Sequence, residues 1–162
     1  MYDVALLVEH RMEDLDADQV VALHEGLDDT VRYHLLLPVP SSAAMLASSL
    51  GALGGAPVPI TEPDTVIEVQ DDLREAARAD VEASAELLRA RGAQVSAAVT
   101  EDDAVTALEE LVSSTGSAEV IVLTEPHLLQ ELLRLDWASR AQRHLDVPTL
   151  HLLEHVPFAA KA

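Results

Sequence analysis

The chain has 162 residues, enough for one domain that buries roughly 70% of its unfolded surface without covalent staples. It contains no cysteine, which excludes disulfides and thiolate chemistry, and MYDVALLVEH at its start lacks the basic region of a secretory signal, so a cytoplasmic protein is expected. A formal charge of -19, with Lys161 the single lysine and four aromatic residues in all, argues against nucleic acid as a partner, because phosphates would be repelled and bases would find little to stack on.

Residues 2–9 form a nearly continuous apolar run, the pattern of a strand buried on both faces of a parallel sheet. Asp16 or Asp18 can cap the helix that follows, whose apolar positions Val20, Val21, Leu23 and Leu27 share one side and which ends near residues 26–29. Residues 31–39, VRYHLLLPV, read as the second strand. From 35 to 60 no residue is charged, formally long enough for a membrane span, but four prolines, three glycines and four serines interrupt it, so no span is expected. Residues 40–70 read instead as a loop carrying one short helix, about 42–53.

Asp71 or Asp72 opens a helix with Leu73, Ala76, Ala77, Val81, Leu87 and Leu88 on its inner side, and Arg89, Arg91 and Gly92 close it. A strand over 93–99 comes next. Thr100-Glu101-Asp102-Asp103 resembles a capping box and opens a helix with Ala104, Ala107, Leu108 and Leu111 on one face, ended by Gly116. A strand over 119–123, a helical region over 126–145 and a last strand over 148–153 complete the series. Strands alternating with helices at this spacing imply one α/β domain over 1–162, a doubly wound parallel sheet with helices on both faces and no tandem repeat.

Arg143-His144-Leu145-Asp146-Val147-Pro148-Thr149-Leu150 resembles the final turn of the universal stress protein family, commonly R-H-A-x-C-P-V-L. The element order and the long loop after the second strand are similar to that family over nearly the whole chain. The resemblance implies five strands in the order 3-2-1-4-5, a stress-response role, and a homodimer through the last strand, here Thr149, Leu150, His151, Leu152 and Leu153.

Members that bind ATP carry G-x-x-G, nine residues, then Gly-Ser or Gly-Thr after the fourth strand, and an aspartate at the end of the first. This sequence departs from that pattern: Thr124 and His127 stand at the two glycines, Leu135 and Asp136 at the Gly-Ser pair, Glu9 near the aspartate, and Val39 ends the second strand. Glycine lets backbone amides approach a phosphate closely, which a side chain obstructs. If Asp136 begins the last helix, its carboxylate occupies the free amides there with the protein's own anion. Glu9, Val39, Thr124, His127 and Asp136 are therefore read as an altered nucleotide site, and no cofactor is expected.

His151-Leu152-Leu153-Glu154-His155 spells H-x-x-E-H, but the zinc-peptidase chemistry of that motif needs a helix to bring both histidines to one metal, and here it begins in a strand. It is read as a chance occurrence. Glu9, His10, Thr124, Glu125, His127 and Asp136 gather in principle at the carboxyl ends of the first and fourth strands, where carboxylates and imidazoles could hold a divalent cation, although strand ends are polar in most proteins. His24, His34 and His144 have no partner legible from spacing, Trp137 reads as core or interface, and no serine has a base and an orienting acid.

The expected function is a non-enzymatic, dimeric, regulatory protein acting through a partner or small ligand. Two alternatives stand beside it: an ATP-binding universal stress protein with a divergent phosphate loop, and a hydrolase or metal enzyme built on the carboxylates and histidines at the strand ends.

Overall fold

The apolar run at the start of the chain becomes β1 (Tyr2–Val8), with residues 4–8 buried on both faces, as the central strand of a parallel sheet requires. The computed structural model describes residues 1–39, 63–124, 145 and 147–156. After β1 come α1 (Asp14–Ala22), β2 (Val31–Pro38), α2 (Pro63–Arg89), β3 (Gln94–Thr100), α3 (Ala104–Thr115), β4 (Glu119–Thr124) and β5 (Thr149–Leu153). All neighbouring strands are parallel and the order is β3-β2-β1-β4-β5, as the resemblance implies.

The two-residue period of β1 sorts its side chains onto two cores. On one face Val4, Leu6 and Val8 meet Tyr33, Leu35 and Leu37 of β2, Ile121 and Leu123 of β4, Leu152 of β5, and the inner sides of α1 and α2 through Val20, Val81 and Leu88. On the other face Ala5 and Leu7 meet Leu36, Val120 and Val122, covered by Val105, Leu108 and Val112 of α3 and by Leu145. Each crossover therefore lies on the side that right-handed connections dictate.

Several helix boundaries differ from the sequence expectation, each for a local reason. α1 starts at Asp14, ahead of both expected caps, because Glu13 takes the N-cap position and Asp16 sits one turn inside. α2 starts at Pro63, eight residues before Asp71; its opening is rich in β-branched residues, but proline is preorganised for the first helical turn and an acid beside it suits the helix dipole. The cap of α3 is Asp103, which accepts the Thr106 amide at 3.2 Å, whereas the Thr100 hydroxyl accepts the Asp102 amide at 3.1 Å. Gly116 ends α3 as expected, at φ 66° in the left-handed region. The expected helices over 42–53 and 126–145 fall outside the described residues except at Leu145. No helix among the described residues is long and apolar enough to cross a membrane.

Candidate functional site

In a doubly wound sheet the crevice for a ligand opens at the carboxyl ends of the strands where the crossovers diverge, here between β1 and β4. β1 runs out into that crevice: the Glu9 amide donates to the Leu123 carbonyl at 3.3 Å, extending the β1–β4 ladder by one residue. The chain then turns into α1. Asp16, wholly buried, accepts the Glu13 amide at 2.8 Å and so closes the first turn of the helix. Arg91 fixes α1 from outside, reaching Asp14 at 3.0 Å and, through Nη1, the Leu87 carbonyl of α2 at 2.7 Å.

A second segment enters the crevice from the edge of the sheet. Beyond β5 the chain turns at residues 154–156 and crosses the end of β4 to meet the β1–α1 segment. The Glu154 carboxylate accepts the His10 amide at 3.1 Å through Oε1, and its Oε2 lies 3.0 Å from His10 Nδ1. Asp16 accepts the His155 amide at 2.7 Å and faces His155 Nδ1 at 2.8 Å. Gln19 donates to the Val156 carbonyl at 3.0 Å. His155 adopts φ 56°, a conformation costing a side-chain-bearing residue about 1–2 kcal/mol, and the bond from its amide to buried Asp16 holds it there. The turn is a strap, and its two anchoring carboxylates are almost wholly buried: Glu154 is 2% exposed and Asp16 0%.

Glu9, His10 and Glu154 thus converge, each offering one ligand atom, and the three atoms all lie within 4.8 Å of one another. Beside them a cavity of about 540 Å³ opens against the same segment, lined by Arg11, Met12, Glu13, Asp14, Leu15 and Leu87. That volume lies within the range of small-molecule pockets. Its lining offers one guanidinium, two carboxylates and three apolar side chains, a mixed surface.

The fold, as distinct from the crevice, has counterparts among solved structures. A protein of the universal stress protein family from Burkholderia pseudomallei matches with a TM-score of 0.53 at 15% identity, over 93% of this chain and 96% of that one. The chain has the universal stress protein fold. Two structures of the universal stress protein from Archaeoglobus fulgidus also align: one with a TM-score of 0.49 at 9% identity over 93% of both chains, and one in complex with dAMP with a TM-score of 0.48 at 8% identity over 93% of this chain and 97% of that one. At such identities the likeness concerns the fold alone. No protein-family model and no curated protein matches the sequence.

Set on the universal stress protein frame, the residues expected at the altered nucleotide site separate. Glu9 stands in the crevice. Val39 lies in the core, 8% exposed, its amide donating to the Thr100 carbonyl at 2.7 Å. Thr124 ends β4 opposite Leu153 of β5. His127 and Asp136 lie outside the described residues, as does Glu125. The H-x-x-E-H residues diverge: His151 belongs to β5, whereas Glu154 turns to His10 and His155 to Asp16. Glu154 is the residue that sequence reasoning missed, because its role depends on β5 ending beside β1 with only β4 between them.

The remaining buried histidines have partners on distant strands and belong to the core. His24 touches the Tyr33 hydroxyl at 2.8 Å through Nδ1 and the Glu119 carboxylate through Nε2. Burial first, and then Glu119, push the Tyr33 phenol well above its ordinary pKa, so it stays protonated. His34 bridges three strands, from Asp3 at 2.8 Å to Ser96 at 2.7 Å.

Proposed function

We propose that the protein is a non-enzymatic homodimer of universal stress protein fold that does not bind ATP and regulates a stress response through a protein partner or a small ligand. One observation carries this reading. At the switch point, where a nucleotide's phosphates would sit, the chain gathers the carboxylates of Glu9 and Glu154 around His10, and the strap at 154–156 is held there by Glu154 on the His10 amide and by buried Asp16 on the His155 amide.

The magnitudes favour exclusion. A phosphate charge held about 5 Å from one carboxylate costs about 3 kcal/mol at an effective dielectric of about 20. That offsets the about 1.5–3 kcal/mol that one charge-assisted hydrogen bond returns. With the carboxylates of Glu9 and Glu154 converging there and one arginine in the neighbouring cavity, the described residues offer a triphosphate no net electrostatic gain.

The dimer is assigned to the outer edge of β5. It is the last strand of the sheet, and its one exposed position is an apolar residue, Leu150, 42% exposed, whereas the exposed positions of the opposite edge strand, β3, are Gln94, Ser96 and Ala98. An exposed strand edge with an apolar residue is a template for pairing with a second copy.

Calorimetric titration of the purified protein with ATP and magnesium tests the central part of this reading. No heat of binding is expected up to millimolar nucleotide; a micromolar dissociation constant would replace it with the ATP-binding alternative.

A further inference from the structure

We propose that Glu9, His10 and Glu154 form a binding site for a divalent transition cation of the zinc–manganese class. This deepens the reading above and rests on the same crevice: the charge that opposes a phosphate there attracts a metal ion.

The geometry is that of ligands waiting on a common centre. One oxygen from each glutamate and a ring nitrogen of His10 lie within 4.8 Å of one another, close to the limit of about 4.4 Å that two bonds of about 2.0–2.2 Å to one ion can span, so that small side-chain rotations complete the set. Imidazole suits zinc and carboxylates suit manganese, so a set of one nitrogen and two oxygens falls between the two.

Two further observations separate this group from a patch of solvated acids. The Glu154 side chain is 2% exposed, and its Oε1 accepts the His10 amide at 3.1 Å, so the carboxylate is oriented before any ion arrives. That amide plays the part of the outer-shell donor that fixes a metal-binding carboxylate. The second observation is the imidazole itself, whose Nδ1 stands 3.0 Å from Glu154 Oε2, a distance that serves two donors on one ion as well as a hydrogen bond. Without metal a hydrogen bond spans that gap. To ligate through Nδ1 the neutral ring carries its proton on Nε2, and because an imidazolium must first give up a proton to water before it can bind the cation, affinity falls as pH is lowered. The His10 ring is half exposed, which leaves the outer side of the site to water ligands.

The test uses the full chain, stripped with chelator and returned to chelator-free buffer. Calorimetry with zinc chloride, and electron paramagnetic resonance with manganese chloride, should each give one saturable ion per chain. His10→Ala and Glu9→Gln should each weaken that binding at least about tenfold, the scale on which even outer-shell partners matter. Glu110→Gln, which removes an exposed acid on α3, should leave it unchanged. Should Glu154→Gln lower the melting temperature, the two variants at less buried side chains decide the matter. Absence of saturable uptake of either ion, or uptake indifferent to both His10→Ala and Glu9→Gln, overturns the site. Titrating ATP into stripped and zinc-loaded protein keeps the two readings apart. Nucleotide bound only with zinc would end the claim of nucleotide exclusion and keep the metal site, whereas failure to take up metal in a protein that also ignores ATP would end the metal site alone.

Discussion

Asp16→Ala is expected to be among the most damaging single substitutions at the crevice, although the residue is charged and belongs to a short helix. Its carboxylate is wholly buried and accepts two backbone amides, Glu13 at 2.8 Å and His155 at 2.7 Å. Removing it forfeits two hydrogen bonds to a charged acceptor, at about 1.5–3 kcal/mol each, of which water at the exposed Glu13 and His155 returns a part, so the expected loss is about 2–5 kcal/mol from the 5–15 kcal/mol typical of a domain. For a chain of this length that corresponds to a fall of about 5–15 °C in melting temperature. Asp16→Asn keeps one acceptor oxygen and should lose about half as much. Urea unfolding of both variants measures the effect, and amide exchange locates it: His155 should lose protection first, because the strap has no helix to hold it. A change of less than about 0.5 kcal/mol in Asp16→Ala, the range of ordinary surface substitutions, would show that the strap is not anchored as described.

Burial lowers the His151 imidazole below its ordinary pKa of 6.5. A depressed histidine favours the folded state fully above the unfolded value, and that contribution is lost as pH falls below about 6.5, because the unfolded chain then takes up the proton more readily. If β5 also forms the dimer edge, pairing buries His151 further, so the dimer should weaken between pH 7.5 and 5.5 by sedimentation; equal stability at both pH values would place the interface elsewhere, and His151→Gln should flatten the dependence. Leu150→Lys, at the exposed position of β5, should shift the protein to monomer at tens of micromolar while leaving its circular dichroism unchanged; an unaffected dimer would contradict the edge assignment. Gly116→Ala should cost about 1–2 kcal/mol through the left-handed backbone alone, since nothing lies within 4 Å of the added methyl; a neutral result in thermal melting would mean that the cap relaxes freely.

Much of the fold was legible because it rests on local period. The uninterrupted apolar character of residues 4–8 and 35–37, and the helical spacing of Ala77, Val81 and Leu88, survive in the structure as two faces of one sheet. Boundaries were legible only where a single residue decides them, as Gly116 does. At Pro63 the β-branched residues that follow it in sequence masked the helix start, because they favour strand over helix. The crevice was half legible. Glu9 and His10 follow directly from the end of β1, but Glu154 joins them from 144 residues beyond His10 in sequence, across β4, a neighbour that no local pattern could announce. His24, His34 and His155 were unreadable for the same reason: each is satisfied by a carboxylate, Glu119, Asp3 or Asp16, on an element brought close only by strand order.

Crystals grown with millimolar ATP and magnesium would examine the crevice between β1 and β4 directly. The expected density shows the Glu154 carboxylate on the His10 amide, the strap in place and no nucleotide at the strand ends; adenine and phosphate density there, with the strap displaced, would contradict the account.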